Sequence, residues 1–494
     1  MSLSPEALFA ALTHHGQRVV LGEGARQLTG RQVLDEVAGR VELLRRHACR
    51  RVAIALDNGV DWVLWDLAIL RAGLVCVPLP GFFSTTQQQH VLDSAGVDSI
   101  VIDDPRPWST AGFSVADDQL AVRNPETAVA LPVGTAKITY TSGTTGQPKG
   151  ACLDAQTQLE VAHSLRVATE ACEPSRHLCV LPLSVLLENI AGLYAPLLAG
   201  AQIELVPTSE LGLASSSRVD AHRFIAALTQ HRPHSVILLP QLLLLLVGAV
   251  EAGMPRPPSL RFVAVGGGRV APQLLRRSES LGLPVFEGYG LSECASVVCL
   301  NTPDNRRIGT VGRPLPHARL RVADDGEVLV RGARMLGYVG EHATQGEWLA
   351  TGDLGQLDQG FLVLHGRKKH QFVTAFGRNV NPEWVEAELV QQAPIAQAWL
   401  QGEAMVHNVA VLVPRTTETS DAALDAAVMA VNQGLPDYAR VHRWIRADAP
   451  FSTANGLATA NGRLRRDALD DHFRRAIGRL TETESPMENT DDLL

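Results

Sequence analysis

At 494 residues the chain is too long for one hydrophobic core, so two or more domains are expected. Apolar residues make up 46% and charged residues 19%, a soluble globular balance that excludes a disordered or fibrous chain. A net charge of −8, from 44 basic and 52 acidic residues, argues against nucleic acid as the main partner, and neither a long basic run nor an Arg/aromatic groove stands out.

The opening MSLSPEALFAALTHHG has no basic segment followed by an apolar core, so no signal peptide is expected and the protein reads as cytoplasmic. From Arg51 onward, short apolar runs alternate with segments of helical period. RVAIAL (51–56), LVCVPL (74–79), SIVID (99–103), HLCVLPL (177–183), AQIELV (201–206), HSVILLP (234–240) and RFVAVGGG (261–268) read as strands. WVLWDLAILRAG (62–73), TQLEVAHSLRVATEAC (157–172) and RFIAALTQH (223–231) read as helices. This rhythm predicts an α/β architecture with largely parallel sheets. Val236–Val250 is the most apolar stretch, but it is shorter than the roughly 18–20 residues of a membrane span, and Pro240 and Gln241 interrupt it. A buried strand ending at Pro240 and a following core helix are expected, with no transmembrane segment.

Beyond residue 300 the pattern changes. ARLRVADDGEVLVRG (318–332) predicts an antiparallel hairpin turning at DDG. GRKKHQFVTAFGRNVNPEWVEAEL (366–389) predicts turn, strand, loop and helix, leading into a smaller α+β domain. The last stretch, 481–494, is acidic and polar and reads as a disordered tail. Seven scattered cysteines without CxxC spacing suit reduced, mostly buried thiols.

The strongest chemical signal is ITYTSGTTGQPKGA (138–151). A β-prone run ends at Thr141 and opens into a loop of hydroxyls and glycines. Gly143 and Gly146 let the backbone aim N–H groups inward, Ser142, Thr144 and Thr145 add hydroxyl donors, and Lys149 adds a mobile positive charge. Such a loop suits a polyphosphate. It is not the G-x-x-x-x-G-K-[ST] loop, because only two residues separate Gly146 from Lys149.

That string resembles the phosphate loop of the adenylate-forming superfamily, and the motifs that follow resemble its others in order. VFEGYGLSECA (285–295) is similar to the adenine-binding region and its Tyr-Gly-x-[Thr/Ser]-Glu motif, WLATGDLG (348–355) to the ribose-binding aspartate motif, and GRKKH (366–370) to the hinge. The resemblance implies a large N-terminal adenylate-forming domain over 1–366, made of parallel α/β sheets plus a small β-barrel-like subdomain. It implies a smaller mobile α+β domain over 367–480. It further implies that Gly266, Gly267 and Gly268 lie flat against adenine, that Glu287 and Gly288 line its edge, and that Tyr289 stacks. Ser292 would touch the carboxylate or α-phosphate, while Glu293, with Thr144, would hold Mg²⁺. Asp353 and Arg367 would contact the ribose, and Lys369 would be the hinge about which the smaller domain turns.

Near the C-terminus the family usually places a lysine, where FSTANGLATANGRLRRDAL (451–469) has Arg463. Arginine keeps the charge but presents a bulkier fork. In LPLSVLLENIAGLYAPLLAG (181–200), Val185, Leu186, Leu187 and Ile190 favour an apolar acyl channel, while Glu188 and Asn189 either face the site or cover a helix. The ensemble is most similar to medium- or long-chain fatty acyl-CoA synthetases. It implies ATP, Mg²⁺, a small-molecule carboxylic acid and coenzyme A. An acyl carrier protein is the alternative acceptor, and a nucleotide- or acyl-binding paralogue with weak turnover is the alternative to catalysis.

Overall fold

In the computed structural model the described residues are 4–125, 129–141, 148–215, 218–341, 346–459 and 462–482. They form two compact units. The first runs through Met1–Thr351 and takes in Gly355–Leu364; the second holds Gly352–Leu354 and His365–Leu494.

The first unit contains two large sheets. In one, Val19–Glu23, Gln202–Leu205, Arg176–Cys179, Ser235–Leu238, Phe262–Val265 and Val285–Leu291 pair in parallel, and Ser296–Leu300 adds antiparallel beyond the last. In the other, Ser99–Val101, Arg51–Ile54, Val75–Pro78 and Lys137–Thr141 pair in parallel. Lys149–Leu153 then returns antiparallel to Lys137–Thr141, so the phosphate-loop sequence joins two neighbouring strands. A smaller four-stranded sheet carries the expected hairpin, Ala318–Val322 against Glu327–Gly332, with Gly326 of its turn at φ +82°. These observations bear out the expected fold class, although the strands are mostly shorter than the apolar runs that announced them.

The helices begin where local chemistry starts them. Gly30–Arg46 opens on a capping box between Thr29 and Gln32, and Thr85–Ser94 on one between Ser84 and Gln87. The apolar run at 236–250 splits as expected, into the strand Ser235–Leu238 and the helix Pro240–Glu251, with proline in the first turn. No helix among the described residues is long and apolar enough to cross a membrane.

Val60–Arg71 is buried almost all round, and so is its aspartate, Asp66. A buried carboxylate needs partners. Lys137 supplies one, its Nζ 2.8 Å from Asp66 Oδ1, and also donates to Asn189 Oδ1 and, at 3.2 Å, to the Tyr194 hydroxyl. That hydroxyl donates to Asp66 Oδ2 at 2.6 Å. Beside this knot, Glu188 accepts from Leu181 N and lies 2.9 Å from His177 Nε2. Glu188–Tyr194 is a π-helix, and Gly192 within it leaves room for the Glu188 and His177 side chains. Glu188 and Asn189 are therefore parts of the core rather than faces of a ligand pocket. Leu186 and Ile190 likewise pack into the main hydrophobic cluster. Of the four residues expected to line an acyl channel, Val185 and Leu187 remain half-buried.

The second unit is a three-stranded sheet, Ile395–Gln401, Asn408–Pro414 and Val441–Arg446, with helices Pro382–Leu389, Asp421–Gly434 and Arg466–Glu482. Six of the seven cysteines are buried and Cys172 is half-buried; none is disulfide-bonded.

Candidate active site

In the first unit the site grows from the return strand Lys149–Leu153. Its first residue, Lys149, is half-exposed, and its ammonium lies 5.3 Å from the Tyr338 ring centroid and 3.5 Å from Glu341 Oε1. Tyr338 is held there by a two-residue strand, Gly337–Tyr338, which pairs antiparallel with the same return strand, Tyr338 opposite Ala151. The other end of Tyr338 reaches Glu293: its hydroxyl donates to Glu293 Oε1 at 2.6 Å. One tyrosine thus joins the lysine and the carboxylate that the sequence singles out. The cation sits over the ring face and the acid receives the hydroxyl, an arrangement of opposite charges held apart by a polar spacer. Neither Tyr338 nor Glu341 carries any motif.

Glu293 belongs to a short 3₁₀ turn, Ser292–Cys294, that follows directly on the strand Val285–Leu291. The next two residues, Ala295 and Ser296, have φ of +52° and +99°. Two successive non-glycine residues in positive φ are costly and persist where surrounding structure enforces them. Gly290 makes this path possible, since a side chain there would collide with the Ser296 backbone. Ser292 is half-buried on the same turn.

Gly266, Gly267 and Gly268 follow the strand Phe262–Val265, and Gly267 has φ +79°, which explains a glycine at that position. Gly288 packs so tightly that a Cβ would stand 3.1 Å from the Cys299 carbonyl oxygen. Glu287 is buried, and burial pushes its carboxyl up to about 8, against the opposing influence of Arg269 and a hydrogen bond from the Val270 backbone. At neutral pH it is a protonated acid, able to donate as well as accept. Tyr289 is 9% exposed and packs among Cys294, Val298 and Val330, so most of its ring belongs to the core.

In the second unit, Asp353 is buried and its Oδ1 lies 2.7 Å from Arg367 Nε, with Gly352 at φ +71° before it. The Lys369 ammonium is held below its ordinary value, first by partial burial and then by Arg367. Arg463 is exposed, and its carbonyl accepts from the Thr459 N–H at 2.7 Å. Close in sequence, Arg466 makes a two-pronged pair with Glu386 at 2.9 and 2.5 Å, and Glu386 also accepts from Leu400 N. Thr141 ends its strand at the loop. Ser142, Gly143, Thr144, Thr145 and Gly146, and with them the Thr144 metal assignment, lie outside the described residues, as does the acidic stretch from 483.

The class follows from the fold and from residues 8–352, which match the AMP-binding enzyme family: the chain belongs to that family, within the adenylate-forming superfamily. Among curated relatives, the long-chain-fatty-acid–CoA ligase FadD15 of Mycobacterium bovis is 28% identical, with 86% of each chain covered. The 2-succinylbenzoate–CoA ligase of Bacillus cereus is 29% identical over 76% of this chain and 80% of its own. Among solved structures, the anthranilate CoA ligase AuaEII in complex with anthranoyl-AMP superposes with a TM-score of 0.82 at 19% identity, covering 96% and 98% of the two chains. The o-succinylbenzoate coenzyme A synthetase of Bacillus subtilis with ATP and magnesium gives 0.77 at 23% identity, covering 94% and 99%.

Proposed function

We propose that this chain is an AMP-forming acid–thiol ligase acting on a medium- or long-chain fatty acid, with coenzyme A as acceptor. A carboxylate oxygen of the acid bonds to the α-phosphorus of ATP, the bridge to the β-phosphate breaks, and pyrophosphate leaves. The thiolate of coenzyme A then bonds to the acyl carbon, and AMP leaves with the electron pair of the broken C–O bond. The observation that carries this reading is the Lys149–Tyr338–Glu293 arrangement, which holds a cation and a carboxylate on one tyrosine next to the phosphate-loop sequence.

Lys149 neutralises phosphate charge, and such preorganised charge is the main service a protein renders to phosphoryl-type transfer. Glu293 offers the hard carboxylate oxygen that fits a magnesium ion, which when bound spreads the polyphosphate charge. Protonated Glu287 suits a base edge, where it donates a hydrogen bond without bringing a negative charge. Asp353, its carboxylate oriented by Arg367, accepts from ribose hydroxyls. Ser292 is assigned to the acid or α-phosphate and Arg463 to the adenylation step. A cytoplasmic setting completes the proposal, supported by seven cysteines that form no disulfide.

The fatty-acid preference is supported by the likeness to FadD15 over most of both chains and by the aliphatic Val185 and Leu187. The 2-succinylbenzoate and anthranilate ligases among the similar proteins favour an aromatic acid as the second reading. Pyrophosphate release with fatty acids of graded length, 2-succinylbenzoate and anthranilate, each with and without coenzyme A, tests both. Release with fatty acids plus a detectable acyl-CoA is expected. Release with aromatic acids alone overturns the fatty-acid assignment, and release with no acid tried overturns adenylation of these substrates. The hinge role of Lys369 has its own check: Lys369→Pro should leave pyrophosphate release intact and lower thioester formation at least tenfold, and equal survival of both half-reactions would remove the assignment.

A further inference from the structure

The hairpin of the small sheet carries a feature its sequence does not announce. Arg319 and Arg331 stand directly opposite each other across the two strands, both exposed. Like charges in that register repel and destabilise a sheet. They line a groove of about 610 Å³ together with Pro316, His317, Leu320, Gly332 and Trp348. That volume is in the range of a small-molecule site, roughly 300–1,000 Å³. Arg321, on the same strand face as Arg319, lies 5.0 Å from the Trp348 ring centroid and holds the indole in place. Among the described residues, one carboxylate is seen against this cluster, Glu347 at 3.2 Å from Arg331, and both members of that pair are more than half exposed. His317 adds no charge at neutral pH, because burial holds its imidazole down to about 4 against the opposing influence of a hydrogen bond to the Val297 backbone.

Two arginines opposed in register, lining one groove with an indole, match a planar base carrying phosphate. We propose that this groove is a second nucleotide site, taking a nucleoside phosphate with its base on Trp348 and its phosphates between Arg319 and Arg331. The repulsion between the two arginines is relieved when the phosphates enter. None of the residues lining it is among those assigned to adenylation, and the proposal does not depend on that assignment.

Equilibrium dialysis of radiolabelled ATP against the full chain, without any carboxylic acid, tests it. Compared with the wild type, Arg319→Ala/Arg331→Ala should bind one equivalent of ATP fewer per chain, while its acid-dependent pyrophosphate release stays as in the wild type. Arg319→Gln alone should weaken that same equivalent about tenfold, giving a reading even where the double variant folds poorly. Equal stoichiometry and affinity in wild type and variants would overturn the groove as a nucleotide site. Absence of pyrophosphate release in every protein, with the one-equivalent difference kept, would instead remove the adenylation reading and leave this one standing.

Discussion

Two charge clusters in the first unit are built from the same residue types to opposite ends. In the Asp66–Lys137 knot both ions are almost wholly out of water, and every partner, Asn189, Tyr194 and Cys76, comes from the fold itself. Around Lys149 the ions are about half exposed, the pair with Glu341 is long at 3.5 Å, and the ammonium's other contact among the described residues is the Tyr338 ring. A charge sealed in the core has its energy committed to folding. A charge left half in water, with loose partners, is available to a ligand.

The sharpest break of this contrast is Lys137→Met. It leaves Asp66 buried without its counter-ion and should cost about 3–5 kcal/mol in urea unfolding, most of it regained in Asp66→Leu/Lys137→Met. No regain would mean that the knot does more than balance charge. Next in size is Glu287→Gln, read through pH. The folded carboxyl titrates at about 8, above its unfolded value of 4.5, so its contribution to stability is full below pH 4.5 and is lost as pH rises to about 8. The wild type should therefore weaken across that window by an amount on the order of 5 kcal/mol, and the glutamine variant should not. Identical pH–stability curves would show Glu287 to be ionised in the fold.

Lys149→Ala inverts the Lys137 outcome. Losing an exposed pair should change stability by less than about 1 kcal/mol, while pyrophosphate release falls about 10²–10³-fold, as when one transition-state donor is removed. A large stability loss with activity kept would erase the distinction between the two clusters. The smallest effect is expected from Tyr338→Phe, which keeps the ring beneath Lys149 and removes the hydroxyl from Glu293. Loss of that hydrogen bond should appear as roughly a tenfold drop in release, with a stability loss of about 1 kcal/mol.

What could be read without coordinates was whatever a short stretch of chain decides by itself. The hairpin at 318–332 was legible because alternation and a DDG turn sit within fifteen residues, and Pro240 marked the change from strand to helix in the same way. Tyr338 was not legible. Its position depends on pairing with Ala151, far back in the chain, through a strand of two residues that no periodicity can betray. Lys137 was not legible either, since nothing local says that Asp66 will be buried beside it. Glu188 and Asn189 stayed ambiguous because a π-helix rotates side chains away from the faces that a 3.6-residue period assigns. The Arg319–Arg331 groove escaped for a related reason: its aromatic wall, Trp348, arrives from another strand region.

The distribution of thiols has a practical consequence for following this protein in solution. Six of the seven sulfurs are enclosed in the fold, and Cys172 alone, in the turn after the helix Ala155–Thr169, reaches partly toward the surface. Burial raises the Cys172 thiol, so maleimide treatment of the native chain at mildly alkaline pH should attach one dye per molecule at that position. A fluorophore there reports from the first unit, and a second cysteine introduced on an exposed residue of the other, Met429 for example, would complete a donor–acceptor pair without first stripping the native cysteines away.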